Sequence, residues 1–404
     1  MKKFALLTVL LLSSTAVWAG GYQLQEYSVT SAGRAFGGAG IVGDDYSAIA
    51  FNPAGMTLRQ SGVQLGAMAM DIHSDVNGHL DAGPREGSKG KLRNFKIIPH
   101  GFGQYAPAEN WRVGLGVYAP FGLGTYYNKS WFGKTHSLTS EITAIDINPT
   151  LAWKPLEWLS VGAGIIFEYM DARLTNIVAA NGKMSDMNAD GWGHGWNAGI
   201  MIEPTKTTRF GIAYRSPVVQ NIKGKHHFAG LAEGISSTKL VDPEHIQLTA
   251  YQEVGKFGLS AMARWTRWSR FDLLSIDSTA LSKVNPALSP SQVNESWRNT
   301  WTISGGVDYH YCKNLTFRTG LAYDQGAVKD PRHRTARVPD SNRWIASIGA
   351  SYMKGNWQFD VSYFHMFWQK ARVHNTATTA PGTVLHGTYR TQINSVGLSA
   401  QYHF

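Results

Sequence analysis

The chain has 404 residues, 43% of them hydrophobic but only 16% charged, with a formal charge of +10. A mean hydropathy of −0.22 excludes a bundle of membrane helices, and beyond the N-terminus no run of about 18 apolar residues could cross a bilayer as a helix. A single cysteine, Cys312, excludes an internal disulfide and offers no metal motif.

Met1 to Ala19 reads as a secretory signal: Lys2 and Lys3 are its basic head, Phe4 to Leu12 its short apolar stretch, and Val17-Trp18-Ala19 its cleavage site. Loss of Lys2 and Lys3 takes the charge from +10 to +8. Nucleic acid is a poor partner for an exported chain. Basic residues that meet lipopolysaccharide or draw in anionic ligands fit better.

Gly20 to about Ser61 is rich in Gly and Ala and lacks sustained alternation, yet Ile41, Val42, Ile49 and Phe51 are too apolar for a free tail. From Gly62 onward, apolar residues alternate with small or polar ones, the period of a strand with two different faces. Strands are expected near 62–71, 92–106, 111–120, 137–153, 157–175, 191–204, 207–222, 239–254, 257–272, 297–311, 314–327, 341–353, 356–370 and 387–404. These make fourteen. Six tight connections, such as Ala108-Glu109-Asn110 and Lys354-Gly355, alternate with seven longer polar ones. Outer-membrane barrels have short periplasmic turns and long external loops, so both ends of the barrel sequence belong in the periplasm. Val161, Ala163, Ile165, Phe167 and Tyr169 are expected to face lipid. Gly162, Gly164, Ile166, Glu168 and Met170 are expected to face the lumen. The expected fold is an all-β, 14-stranded antiparallel transmembrane barrel, with 62–404 as the wall.

Several residues invite function. Pro120 cannot donate to a ladder and Gly116 and Gly122 weaken pairing, so the third strand either bends there or ends at the rim. Phe121, Leu123, Tyr126, Tyr127, Trp131 and Phe132 form an aromatic cluster in the second long loop, either an exposed binding patch or an interfacial girdle. Arg215, Arg264, Arg298 and Arg318 point inward by alternation. They are candidates to meet a ligand carboxylate, Arg298 first and Arg264 next, or else to pair with Glu168, Asp308 and Asp324 in lumen ion networks. The basic run Lys223 to His227 reads as an external loop, and Arg332, His333, Arg334 and Arg337 as a solvated one. No G-x-S-x-G motif is present, and no enzyme activity, cofactor or metal is implied. The strand ending Val396, Leu398, Ala400, Tyr402 and Phe404 resembles the C-terminal signal read by outer-membrane assembly machinery.

The segments Gly21-Tyr22-Gln23-Leu24-Gln25-Glu26, Ser31-Ala32-Gly33-Arg34-Ala35, Asp44-Asp45 and Asn52-Pro53-Ala54-Gly55-Met56 resemble the start of the FadL family. Gly195-Trp196-Asn197-Ala198-Gly199, Ala213-Tyr214-Arg215-Ser216 and Leu315 to Gly320 are further echoes. The resemblance implies an outer-membrane channel for long-chain fatty acids or for aromatic and aliphatic hydrocarbons. It also implies that 20–61 is an N-terminal hatch (plug) in the bore of the barrel, with a hatch motif at Asn52, Pro53 and Ala54, and an inward kink at Pro120 and its neighbours Gly116, Phe121 and Gly122 that opens the wall sideways. The family's basic ligand-facing residues do not align cleanly with this chain. The expected state is a monomer in the Gram-negative outer membrane, and a general diffusion porin is the competing reading.

Overall fold

The computed structural model describes residues 20–81, 89–376 and 384–404. The signal reading of Met1 to Ala19 lies outside the described residues. The wall is one antiparallel sheet closed on itself. Its strands are β1 (Gly62–Leu80), β2 (Gly90–Ala108), β3 (Trp111–Tyr126), β4 (Thr139–Leu156), β5 (Leu159–Ile177) and β6 (Met184–Thr205). They continue as β7 (Thr208–Arg215 and Val218–Phe228), β8 (Ala232–Asp242 and His245–Val254), β9 (Phe257–Thr266 and Leu273–Ser278) and β10 (Ser291–Asn294 and Thr300–Cys312). The last four are β11 (Leu315–Asp324), β12 (Arg343–Lys354), β13 (Trp357–Trp368 and Ala371–Thr376) and β14 (Val384–His403). Counting each interrupted strand once, fourteen strands pair in sequence order, and β14 closes on β1 from Gly62↔His403 to Leu80↔Leu385. Closure is what hydrocarbon demands, because lipid cannot satisfy an open strand edge.

The two faces sort as the alternation requires. Ile165 and Phe167 are exposed on β5, while Ile166, Glu168 and Met170 between them are fully buried. Likewise Phe317 and Leu321 face out and Arg318 faces in. Outward aromatic pairs mark both borders of the apolar belt. Trp111–Trp153 and Trp357–Tyr402 lie near the tight turns, and Trp196–Tyr214 and Tyr323–Trp344 near the far end. This is the girdle arrangement of an outer-membrane barrel.

All six expected tight connections are two-residue turns, each joining strands that follow directly in sequence. Two readings of the opposite end need correction. The run Lys223 to His227 lies inside β7, where His226 is buried between the hydroxyls of Ser185 and Ser278 at 2.9 and 2.7 Å. Only 229–231 connects β7 to β8, because long strands rise well beyond the belt and take up what reads as loop. Of the basic run read as a solvated loop, Arg332 is exposed, but much of the segment 325–342 is not. Ala327, Val328, Arg334, Ala336, Val338 and Asp340 are buried where it folds down into the barrel mouth.

The bore is filled by residues 20–61. They carry α1 (Val29–Gly33), α2 (Ala48–Phe51) and a 3-10 turn (Pro53–Leu58), almost all buried. Segments this short do not hold themselves as helices, so polar contacts to the wall do the work. Ser28 caps α1 by accepting from the Ser31 amide at 3.0 Å. Arg34 is 1% exposed and pairs with Asp44 at 2.6 Å and with Asp308 of β10 at 3.1 Å, while Arg318 of β11 reaches Asp44 at 2.9 Å. Removing one partner of such a buried set costs about 3–5 kcal/mol, so this network fixes the register of the plug in the barrel.

Candidate functional site

The hatch motif is an anchor. Asn52 is fully buried, and its Oδ1 accepts from the Ala54 amide at 3.1 Å. Its Nδ2 donates to the carbonyls of Ile200 and Ile212, at 3.3 and 3.5 Å, across the β6–β7 pair. Pro53 begins the 3-10 turn, where its missing N–H costs nothing. Glycines on the wall make room: a Cβ on Gly199 would fall 2.0 Å from Asn52 Oδ1, and one on Gly162 would fall 2.5 Å from the Pro53 carbonyl carbon.

The third strand bends at Pro120. Between β3 and β4 the register slips by one residue from Tyr118↔Asp146 to Phe121↔Ala144, a bulge at Ala119-Pro120. Pairing with β2 stops earlier, at Gly101↔Val117. Continued, that register would set Ala119 against Pro99 and Pro120 against Ile98, so two prolines stand where the ladder ends. Beyond the stop, Asn94 Nδ2 donates to the Gly124 carbonyl at 3.4 Å and Lys96 Nζ to the Tyr126 hydroxyl at 3.1 Å. Between these side-chain latches and Gly101 the two strands share no ladder pairs, and Ile97 in this stretch is exposed on the outer face.

The hatch takes up the edge that β3 gives up. Leu24 donates its amide to the Pro120 carbonyl, and Gly122 donates its amide to the Tyr22 carbonyl, both at 2.7 Å, around the Gln23↔Phe121 bridge. Tyr22 sits in an aromatic box, with ring centres 5.7 Å from Phe121, 4.9 Å from Trp268, 5.9 Å from Phe271 and 5.8 Å from Trp297. Gly21 has φ +65, and a Cβ there would come within 2.6 Å of Trp297 and 2.7 Å of Trp268, so only glycine threads this box.

Above Tyr22 lies an apolar cavity of about 60 Å³, lined by Leu123, Ile142, Ala172, Leu240 and Phe271 among others. It continues outward into a larger one of about 280 Å³. Leu174, Met187, Leu274, Ile276, Glu295 and Arg337 line both and form the neck between them. Breaks in β7, β8, β9 and β10 surround this region. Trp268 and Phe271 come from the break in β9, and Glu295 and Trp297 from that in β10. Glu295 is 3% exposed and accepts from Trp297 Nε1 at 3.0 Å. Arg337 is half-buried and donates through Nη1 to the Ser140 hydroxyl at 3.0 Å. Burial pushes its guanidinium down to about 10, partly offset by Glu295, so it stays cationic at neutral pH.

The residues singled out in the sequence divide. Pro120, Phe121 and Gly122 meet the hatch at the bulge, and Leu123 lines the inner cavity. Gly116 pairs with Phe102, next to the last β2–β3 pair at Gly101↔Val117. Trp131 is fully buried and stacks on Tyr127 at 3.8 Å, with Phe132 beside it at 5.2 Å. Val76, Leu92, Leu138, Leu385 and Tyr389 complete a core under the loops, so this cluster is neither an exposed patch nor a girdle. Arg215 pairs with Asp146 and Glu168, and Arg318 with Asp308 and Asp44. Asp324 pairs with Arg343. Arg264 is fully buried against the hatch, donates to Gln247 Oε1 at 2.6 Å and stands 5.6 Å from the Phe51 ring. Arg298 is exposed and holds the Gly326 carbonyl and Asn342. Neither Arg264 nor Arg298 lines either cavity, whereas Arg337 lines both. The sequence signal for Arg337 was its place in a basic but alanine- and valine-bearing loop, and net charge masked it.

A barrel plugged by its own N-terminal segment, with an apolar cavity above the plug, is the architecture of an outer-membrane transporter of hydrophobic compounds. The chain matches the family described as "Outer membrane protein transport protein (OMPP1/FadL/TodX)" over residues 10–404, and it belongs to that family. It is 26% identical to a "Long-chain fatty acid transport protein" of Escherichia coli O6:H1, covering 92% of each chain. Its fold is similar to that of a Pseudomonas aeruginosa FadL homologue, with a TM-score of 0.86 and 23% identity over 95% of this chain and 100% of the other. It is also similar to that of the Ralstonia pickettii toluene transporter TbuX, with a TM-score of 0.70 and 17% identity over 94% and 99%. The family is one of transporters, found in the Gram-negative outer membrane.

Proposed function

We propose that the chain passes long-chain fatty acids from the outer face, through the two cavities, to a window that opens in the wall beside β3, where the ladder to β2 stops, by passive diffusion that requires the hatch to shift. One relationship supports this above all others: Tyr22 floors the inner cavity, and its own backbone carbonyl is bonded to Gly122 at the bulge. A ligand tail that presses on Tyr22 therefore loads the same segment that covers the wall edge. An acyl chain gains about 0.8 kcal/mol per buried CH₂, and sideways exit keeps it out of a water-filled pore. Arg337 is the cation for the carboxylate. Its Nη1 is engaged by Ser140, and the edge formed by Nε and Nη2 suits a bidentate partner.

Aromatic hydrocarbons are a second reading, favoured by the box of rings around Tyr22 and by the toluene transporter of similar fold. Oleate and toluene binding to the purified protein, with and without Arg337, separates the two. Oleate binding that depends on Arg337 supports the first reading, and toluene binding alone replaces it with the second. A large steady conductance in planar bilayers would instead indicate a diffusion porin. On this reading the barrel acts as a monomer. Outward cations above the belt, including Arg93, Arg372 and Arg390, meet lipopolysaccharide phosphates. Phe404, 72% exposed, serves the assembly machinery.

A further inference from the structure

Three imidazoles stand in a row at the outer rim, where the first and last strands close the barrel. His79 on β1 is paired with His386 on β14, and His386 is paired with His374 on β13. Adjacent strands lie about 4.8 Å apart, which sets the rings side by side. His79 and His386 stack at 5.1 Å, and His374 meets His386 edge-on at 4.4 Å. Asp81 follows β1 directly. One of its carboxylate oxygens is 2.9 Å from His386 Nε2, and the other is 3.6 Å from His79 Nε2.

These donor atoms of His79, Asp81 and His386 all lie within 4.8 Å of one another. Ligands around a zinc ion, bound at about 2.0–2.2 Å, are separated by a little over 3 Å, so small side-chain rotations close the set. The other ring nitrogen of His386 also has a partner. Its Nδ1 is 3.0 Å from His374 Nδ1, and one of these two nitrogens must carry the proton. If a neutral His386 donates through Nδ1, its Nε2 turns a lone pair toward the Asp81 carboxylate, an arrangement a bound cation would relieve. Metal-binding histidines are commonly oriented by such an N–H bond on the far side of the ring.

We propose that His79, Asp81 and His386 form a site for one divalent transition-metal ion of the zinc class, with His374 as the positioning residue for His386. Two imidazoles and one carboxylate favour Zn²⁺, Cu²⁺ or Ni²⁺ over Mg²⁺ and Ca²⁺, which prefer all-oxygen shells. Water fills the remaining positions, because His79 and Asp81 are more than half exposed and half exposed. The ion joins β1 to β14 across the seam of the barrel. The site is independent of the uptake reading, since none of His79, Asp81, His386 and His374 lines either of the two cavities.

The test uses the full-length, tag-free protein in detergent, titrated with ZnCl₂ by calorimetry. One Zn²⁺ per chain is expected, with a rise in unfolding temperature on addition. His386→Ala and Asp81→Asn are each expected to weaken binding about a hundredfold and to remove the thermal shift. His374→Ala should weaken it about tenfold and move the visible absorption of bound Co²⁺. His73→Ala, a half-buried histidine on the same strand beside Asp71, should leave binding unchanged. The site is refuted if wild type shows no saturable binding, or if both His386→Ala and Asp81→Asn bind as wild type does. An unchanged affinity and Co²⁺ spectrum in His374→Ala would remove the positioning role.

Discussion

The backbone carbonyl of Pro120 accepts a 2.7 Å hydrogen bond from the amide of Leu24, so the plug, rather than the neighbouring strand, satisfies the bulged edge of β3. Buried backbone groups need partners. A strand that leaves its ladder inside a membrane barrel is tolerable only because the hatch supplies them.

Replacing Pro120 with Val tests the bend. Valine restores an N–H and favours a regular strand, which lets β3 pair with β2 beyond Gly101↔Val117. Oleate uptake by cells is expected to fall severalfold, with normal amounts of folded protein in the outer membrane. Wild-type uptake in this variant would count against the window as the exit.

Arg337 governs the head group. Arg337→Ala is expected to weaken oleate binding by about 1.5–3 kcal/mol, the worth of a charge-assisted hydrogen bond, and to leave toluene binding nearly unchanged. Arg337→Lys should recover only part, because an ammonium cannot offer a bidentate fork. Calorimetry with both ligands reads the difference, and equal losses for oleate and toluene would show a packing role instead. Burial lowers the guanidinium only to about 10, so it stays cationic across the neutral range and oleate affinity should be level between pH 7 and 9.

Asn52 holds the hatch to the wall. Asn52→Ala removes the turn cap and both bonds to β6 and β7, a loss of about 1–2 kcal/mol. The expected outcome is a folded barrel with a looser plug, seen as brief openings in planar-bilayer recordings where wild type is silent. Records as quiet as wild type would mean that the Arg34–Asp44–Asp308 network suffices alone.

Trp131 separates a loop core from a landing patch. Trp131→Ala is expected to destabilise the loop layer by about 3–5 kcal/mol, so that protease cuts the 127–138 and 325–342 loops while the strands survive. If the loops stay resistant and only ligand capture weakens, the ring contributes to binding rather than to packing.

Much of the wall was legible because bilayer physics leaves a strand few options. Alternation from Val161 to Met170 marks lipid and lumen, and turn lengths sort the two ends. The hatch was legible through a motif, with Asn52 and Pro53 falling at a cap and a first turn. Arg298 and Arg264 show the limit. Alternation tells which face a side chain takes but not its height, its neighbours or whether a loop folds over it. Trp131 was read as exposed for the same reason, since its partners Val76 and Leu385 are far away in sequence.

Local chemistry thus determined the strand count and the facing of most strand residues, because each depends on period-two burial; Arg298, in a break between strands, escapes that rule. Only the tertiary structure decided which cation enters the cavity, which edge the plug covers and which histidines meet at the seam. Those depend on register and loop folding between segments separated by tens to hundreds of residues, where no sequence spacing carries the distance.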